Sequence, residues 1–452
     1  MKQPKLMWLA SALGWVIGML IAHPALAAGP LAIKAGTLIP ISGPPIENGV
    51  ILIRDGKIVA VGTDVEIPVE AKVIDASGKV VMPGFIDPHN PAGMSQANER
   101  NTNVPFLSAV DSIDPILDYF EDCRRNGVTT TAVFPGNATM IGGRGAILKT
   151  AGRYVNDMLL RRDAGLKISL QPVGGSRMSH IARLRAEFDK AKRAMEEKDA
   201  PAPPAPAAAA AENAGGESGG GPSGGSGDPA TPAAGSEGAA SEPAATEAQS
   251  SEGLAVLQQA LRGELPVVIY CDQAMDVAQA IRLIENYRLS AILVLGRECY
   301  EAAEMLKKLN KPVILDPTLV FWKTDPLTRQ DQQIIVPKRM LDAGVSFVFQ
   351  TESNLRQTLG SGFLWYQAAA SVKYGMSRED ALRALTLTPA QLLGIESFVG
   401  SIEPGKDADL VILSGDPLAS GTWVEMTLVG GQEVYDRKTD GKLKRLLEEP
   451  PQ

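Results

Sequence analysis

Residues 266–349 contain four short apolar runs: Pro-Val-Val-Ile-Tyr at 266–270, Ala-Ile-Leu-Val-Leu at 291–295, Pro-Val-Ile-Leu at 312–315 and Val-Ser-Phe-Val-Phe at 345–349. Helical stretches separate these runs, and alternation at this spacing is typical of βαβ units around a parallel sheet. Near-continuous apolar strands indicate a sheet that is buried on both faces. Since the same alternation begins near residue 84, residues 84–397 are predicted to form an α/β fold, a (β/α)8 TIM barrel.

The two flanks of this region are rich in strands and turns. Residues 50–54 and 58–62 are β-rich runs around an Asp-Gly turn, which is a strong signal for a β-hairpin. Residues 400–413 lead into another strand, and two short β-rich runs follow. We therefore predict a composite β-sandwich domain that is built from residues 28–83 and 398–440, with the barrel inserted between them.

The N-terminus has the features of a signal peptide. Lys2 and Lys5 precede an apolar run at 7–21, and Ala25-x-Ala27 has the small-residue spacing of a cleavage site. A retained membrane anchor is the alternative, but the run is short for a spanning helix, which needs about 20 residues. Residues 1–27 are predicted to be removed, so that the mature chain is periplasmic or secreted and keeps no membrane anchor.

Residues 200–252 interrupt the pattern with Ala, Pro, Gly, Ser and Glu, apart from a few other polar residues. A segment of this composition cannot bury enough apolar surface to offset the entropy of ordering it. We predict a disordered insertion within the barrel. A linker between two independent domains is the competing interpretation.

Composition excludes several classes of function. The 452 residues are 44% hydrophobic and 21% charged, so the chain is neither fibrous nor fully disordered. With 44 basic and 52 acidic side chains the net charge is −8, and nothing favours nucleic-acid binding. Three cysteines are too few for a disulfide framework. The three histidines limit any histidine-built metal site, since cleavage would leave only His89 and His180.

Three motifs together resemble the amidohydrolase superfamily. Val81-Met82-Pro83-Gly84-Phe85-Ile86-Asp87-Pro88-His89 is similar to the P-G-x-I-D-x-H of the first barrel strand. Residues 385–393 resemble the helix with T-x-N-P-A, and residues 400–413 resemble the returning strand with G-S-I-x-P-G-K-x-A-D-L. Residues 127–137 and 141–149 resemble the imidazolonepropionase-related branch.

The resemblance implies a metal-dependent hydrolase that acts on C–N bonds other than ordinary peptide bonds, with a small amide-type substrate and frequent oligomers. Its metal ligands are an H-x-H pair on strand 1, often a lysine or glutamate on strand 4, histidines on strands 5 and 6, and an aspartate on strand 8. A divalent ion in such a site lowers the pKa of a bound water, and the strand 8 carboxylate moves its proton.

The chain departs from this pattern at four positions. His89 matches the first histidine, but Pro91 stands at the second, and proline has no ligating side-chain atom. Tyr270 and Leu295 stand at the histidine positions of strands 5 and 6, and Glu352 replaces the strand 8 aspartate. The usual binuclear site therefore lacks most of its ligands.

A reduced site is the remaining hypothesis. His89 and Asp272 are its candidate metal ligands, and Glu352 is the candidate catalytic residue at the proton-shuttle position. Further candidates for the barrel mouth are Asp87, Lys149, Tyr270 and Cys271. A carboxylate-rich site would suit Mg²⁺ or Mn²⁺, and Zn²⁺ if Cys271 and His89 both bind. The ordinary alternatives are a structural Asp87, a solvated Lys149, a buried apolar Cys271 and a solvated or capping His180.

Three functions are compatible with the sequence. The first is an exported amidohydrolase-fold protein whose hydrolysis is weak or lost because the metal ligands are missing. The second is an active hydrolase with a non-standard one-metal or metal-free site around His89, Asp272 and Glu352. The third is a non-catalytic binding or scaffold subunit in a homo-oligomer or in a hetero-oligomer with an active relative.

Overall fold

The computed structural model describes residues 29–199, 242–351 and 362–447. The predicted signal peptide, residues 200–241 of the predicted insertion and Glu352 lie outside these ranges. No helix within them is both long enough and apolar enough to cross a bilayer.

The strands fall into two large sheets and one hairpin. In chain order the strands are β1 (Leu31–Leu38), β2 (Ile46–Glu47), β3 (Val50–Arg54), β4 (Lys57–Gly62), β5 (Lys72–Pro83), β6 (Phe85–Asn90), β7 (Val128–Val133), β8 (Ile141–Lys149), β9 (Leu159–Ser169), β10 (Val267–Cys271), β11 (Ala291–Leu295), β12 (Val313–Ile314), β13 (Val320–Thr324), β14 (Asp331–Ile335), β15 (Phe347–Val348), β16 (Leu410–Leu413), β17 (Val424–Val429) and β18 (Gln432–Asp436).

The α-helices lie mainly between the strands of the second sheet and after it. They are α1 (Asp118–Arg125), α2 (Val155–Met158), α3 (Arg177–Asp199), α4 (Glu242–Leu261), α5 (Ala274–Tyr287), α6 (Ala303–Lys307), α7 (Val336–Ala343), α8 (Leu364–Lys373), α9 (Arg378–Leu385), α10 (Leu387–Leu393) and α11 (Gly441–Leu447). Two 3₁₀ turns span Ala109–Ser112 and Arg297–Ala302.

Both chain ends contribute to the first sheet, as the sequence predicts. Its order is β18-β17-β16-β5-β1-β3-β4, with β2 beside β1, and β16 pairs antiparallel with β5. Aliphatic side chains from both ends share one core, among them Ile33, Ile51, Leu410 and Leu428. This sheet is the composite domain.

The second sheet is the barrel, in the order β15-β12-β11-β10-β9-β8-β7-β6. The (β/α)8 architecture is confirmed, with one difference in strand direction: β8 runs antiparallel to both β7 and β9. Residues 134–140 join β7 to β8, and this link is shorter than the dozen or more residues that a parallel crossover needs. Counted along the barrel, β6 is strand 1, β9 is strand 4, β10 is strand 5 and β15 is strand 8.

Side chains of the barrel strands alternate between the interior and the helical layer. On β10, Val268 and Tyr270 pack in the interior cluster, whereas Ile269 and Cys271 pack in the cluster that contains the helices. This period of two follows from the pleat of a strand. It determines which residues of each strand can reach the barrel mouth.

The predicted insertion ends earlier in the structure than in the sequence analysis. Residues 242–252 belong to helix α4, which begins at Glu242, so the prediction of disorder through residue 252 is wrong for them. The second half of α4 supplies Val256, Leu257 and Ala260 to the main core. Burial of this face stabilises a helix whose first half is rich in alanine, a strong helix former.

Candidate functional site

The ends of strands 1 and 8 are joined by side-chain hydrogen bonds at the barrel mouth. The buried carboxylate of Asp87 accepts hydrogen bonds from Thr351 Oγ1, from Thr351 N at 3.4 Å and from Asn90 Nδ2 at 3.3 Å. Asn90 Nδ2 also donates to Thr351 O at 3.1 Å. Burial raises the pKa of Asp87 to about 6, although the hydrogen bonds from Thr351 and Asn90 act in the opposite direction. Asp87 therefore fastens strand 1 to strand 8.

The hydrogen-bonded junction of strands 1 and 8, called the seam below, also holds His89 in one tautomer. Its Nδ1 lies 2.7 Å from Gln350 Oε1, and Gln350 Nε2 donates to Leu315 O at 3.0 Å. Since the amide nitrogen of Gln350 faces a carbonyl, its oxygen accepts, and His89 Nδ1 carries the hydrogen. Burial, and the nearby Lys167, lower the pKa of His89 well below its ordinary value. The lone pair of the neutral ring is therefore on Nε2.

Lys167 of strand 4 occupies that lone pair. Its Nζ lies 2.5 Å from His89 Nε2 and donates to it, and it lies 5.6 Å from the centre of the Tyr270 ring. The side chain is fully buried. Burial lowers the pKa of Lys167 to about 7.

Gly145 makes room for the ring that supports His89. Phe134 stacks on His89 with ring centroids 5.9 Å apart. A Cβ on Gly145 would lie 2.2 Å from Phe134 Cδ1, which is closer than any real contact of a Cβ atom. Gly145 therefore allows Phe134 to fill the barrel interior beneath His89.

The structure brings some of the predicted site residues together and separates others. Asp87 and His89 lie at the seam, and Tyr270 reaches it through Lys167. Asp272 lies at the end of β10, where its carboxylate is 3.5 Å from Arg177 Nη2. Glu352 lies outside the described residues.

Two further candidates point away from the barrel mouth. Lys149 pairs with Thr130 near the start of β7, whereas the mouth lies beyond Val133 at its end. Its Nζ contacts Asp409 and lies 2.9 Å from Asp407, so its prediction as a mouth residue is wrong. Cys271 faces the helical layer as a buried apolar side chain, and burial raises the pKa of its thiol well above the ordinary value.

His180 is neither solvated nor a cap, contrary to the sequence-based expectation. It is fully buried, its Nε2–H donates to Ser169 O at 2.9 Å, and its Nδ1 accepts from Val173 N at 3.5 Å. It thereby holds the loop that follows strand 4. Burial lowers the pKa of His180; the Ser169 hydrogen bond and Asp276 oppose that shift, and Arg183 and Arg177 reinforce it.

We expect His180 to make stability depend on pH. Because its native pKa lies below the ordinary 6.5, the unfolded state binds the proton more readily, and stability is lost as the pH falls below 6.5. His180→Gln keeps an N–H for Ser169 but does not titrate. Urea unfolding is measured at about pH 7.5 and about pH 5.5. As the pH falls, the free energy of unfolding of the parent should decrease by up to about 1.4 kcal/mol per pH unit more than that of the variant. Parallel pH profiles for the two proteins would contradict this role.

Lys167, Gln350 and Thr351 are not among the residues that the sequence predicts for the site. Lys167 stands in the apolar run Gly-Leu-Lys-Ile-Ser-Leu at 165–170, and a charged residue inside a buried strand was the available signal. The resemblance also implied a lysine on strand 4, and Lys167 lies on that strand. No local pattern marks Gln350 or Thr351, because their roles depend on partners about 260 positions away.

The described residues do not fit the divalent ion that the resemblance implies. Within the three described ranges, no group of three or more His, Cys, Asp or Glu side chains is close enough to hold a metal. The Nε2 of His89 already accepts from Lys167, and Asp272 faces Arg177. The mouth instead offers a neutral imidazole, a lysine amine, an amide and a phenol.

Comparisons with known proteins agree with the barrel and the composite domain. The model of a family described as the amidohydrolase family matches residues 324–434. The amidohydrolase tasK of Hapsidospora irregularis is 24% identical over 86% of the chain, and the match spans only 39% of that relative. An imidazolonepropionase of Symbiobacterium thermophilum is 24% identical over 85% of the chain and 90% of its own length. The crystal structure of an amidohydrolase from Thermotoga maritima superposes with a TM-score of 0.71 and 26% identity, over 90% of this chain and all of the other.

Proposed function

The chain belongs to the amidohydrolase superfamily, and on this premise we propose that it is an exported member of the imidazolonepropionase-related branch whose metal-dependent hydrolysis of C–N bonds is weak or lost. It would keep the barrel mouth as a binding site for a small amide-type molecule. Export is supported by the N-terminal sequence, and the branch by imidazolonepropionases at low identity.

The observation that carries this proposal is the contact between Lys167 Nζ and His89 Nε2. A metal ion on His89 would need the lone pair that accepts from Lys167, since the opposite ring nitrogen donates to Gln350. A metal ion cannot bind this nitrogen while its lone pair accepts the hydrogen bond from Lys167. Loss of hydrolysis follows because activation of water in this superfamily depends on the metal.

Metal content tests the proposal directly. Mature protein, purified after expression of the full chain, should contain far less than one equivalent of Zn²⁺ or Mn²⁺ by inductively coupled plasma mass spectrometry, also after incubation with either ion and dialysis. His89→Ala is the matched control, because metal that persists in it is bound elsewhere. One tightly held equivalent in the parent that is absent from the control would refute the proposal.

The one-metal hydrolase around His89, Asp272 and Glu352 is the rival hypothesis. The position of Asp272 beside Arg177 gives it no support. A hydrolysis screen with amides and cyclic amides, run on the parent and on Glu352→Gln, separates the two. Activity in the parent that the variant lacks would favour the hydrolase. A scaffold role would require co-purification with a second amidohydrolase from the native envelope.

A further inference from the structure

We infer that the amino end of the barrel holds a second binding site, which takes a short alkyl carboxylate such as pentanoate. The site is a cavity beside the first residues of β11 and β12, Ala291 and Val313. Because these two strands are parallel, their first residues lie at the end of the barrel opposite to the mouth. The inference is therefore independent of the proposed function, and neither proposal fails with the other.

The cavity has a volume of about 110 Å³ and an apolar wall. Leu289, Leu293 and Val313 are buried side chains of this wall. Within the described ranges, Lys311 is the one polar side chain that lines it. An apolar cavity of about 150 Å³ binds benzene, so this one has room for a chain of about four carbon atoms.

Two loops that lead from a helix to a strand shape the cavity. Helix α5 is followed by Arg288, which has a left-handed backbone with φ of 53°, and the loop after α6 contains Asn310 with φ of 49°. A residue in this conformation ends a helix and redirects the chain. Leu289 and Leu309 of the two loops both line the cavity, and the short side chain of Ala291 does not fill the space beside them.

The rim of the cavity is positively charged. Lys311 is exposed, and its ammonium has neither a hydrogen-bond acceptor nor an ion pair among the described residues. The neighbouring Lys307 and Lys308 are likewise exposed and form no ion pair with that part of the chain. Glu285 and Glu304, which lie on the two adjoining helices, do not pair with these cations. Positive charge that is not neutralised by the protein attracts an anion.

These features require a ligand that is apolar at one end and anionic at the other. A polar group inside the cavity would be costly, because the apolar side chains of the wall cannot hydrogen bond to it. A carboxylate that stays at the rim can accept a charge-assisted hydrogen bond from Lys311. Pentanoate joins a single carboxylate to a butyl chain, and it therefore matches both the volume and the charge of the site.

Calorimetric titration of sodium pentanoate into the mature protein, at neutral pH and low salt, tests the inference. The parent should show saturable binding, and so should Lys308→Met, a control at an exposed lysine that does not line the cavity. Ala291→Leu should abolish binding, because the larger side chain fills the cavity. Lys311→Met should weaken binding about 5-fold, which is the upper range for an exposed ion pair.

Two further ligands separate the contribution of the alkyl chain from that of the charge. Acetate lacks most of the alkyl chain and should bind the parent about 50-fold more weakly than pentanoate. Butylamine carries the same chain with the opposite charge, and it should not bind measurably because the cations of the rim repel it.

Absence of saturable pentanoate binding in the parent would overturn the inference, and so would an unchanged affinity in Ala291→Leu or in Lys311→Met. If Ala291→Leu does not fold, the ligand series and Lys311→Met decide the matter. Tighter binding of pentanoate than of acetate and butylamine, weakened in Lys311→Met, supports the site. Equal affinity of the parent for the three ligands refutes it.

Discussion

Replacing Lys149 by methionine is expected to lower the free energy of unfolding by about 3 to 5 kcal/mol, which is the usual cost of removing one partner of a buried ion pair. Lys149 Nζ lies between Asp409, which is almost fully buried, and Asp407, at the junction of the barrel with the composite domain. Burial raises the pKa of Asp409, and Lys149 opposes that shift. Without the ammonium, Asp409 is left with one described donor, the backbone of Gly430.

Lys57→Met is the matched control for this experiment. Lys57 contacts Asp407 as well, but about half of its side chain is exposed, so its removal should cost less than about 1 kcal/mol. Denaturant unfolding at neutral pH measures both losses. The double variant Lys149→Met with Asp409→Leu should recover part of the stability, because no charge then remains unpaired. Equal losses for Lys149→Met and Lys57→Met would show that the junction does not depend on the buried pair.

Replacing Asp87 by alanine should lower the free energy of unfolding by about 3 kcal/mol or more. It should also weaken the seam between strands 1 and 8. The substitution removes the acceptor of Thr351 Oγ1, Thr351 N and Asn90 Nδ2, and each buried donor without an acceptor costs about 1 to 3 kcal/mol. Hydrogen exchange measured by mass spectrometry should report faster exchange at Thr351, whose backbone N–H loses its acceptor.

Asp87→Asn measures the contribution of the hydrogen bonds to stability separately from that of the charge. Asparagine keeps one acceptor oxygen and the size of the side chain, and it removes the negative charge that burial disfavours at this position. We expect a much smaller loss of stability than for Asp87→Ala and nearly unchanged exchange at Thr351. If the two variants were equally unstable, the charge of Asp87 rather than its hydrogen bonds would hold strands 1 and 8 together.

The sequence predicts the architecture better than the contents of the site. Apolar runs such as 291–295 identify barrel strands, because burial on both faces leaves a continuous pattern. The same pattern does not indicate the direction of a strand. The antiparallel direction of β8 follows instead from the short link before it. The composite domain was predictable because a hairpin signal at one end and a strand motif at the other flank the alternating region.

The wrong and missing predictions for the site have a common physical origin. Lys149 and Lys167 are both single lysines on barrel strands, but one lies at the amino end of the barrel and the other at the mouth. Which end a residue reaches depends on the direction and register of its strand, and neither is fixed by local sequence. The polar seam between Asp87 and Thr351 likewise exists only after the sheet has curved enough to bring strands 1 and 8 together.

The order of strands in the composite domain has a consequence for the newly synthesised chain. Strand β5 hydrogen bonds to β16, so that the partner of residues 80–83 is made only after residue 413 has been translated. Until then one edge of β5 has unpaired backbone groups, and such an edge is a template for intermolecular pairing. Contacts between such distant parts of a chain also slow folding. We therefore expect that the newly made chain keeps an incomplete sheet until residues 410–413 are available, and that slower translation of residues 403–452 increases aggregation.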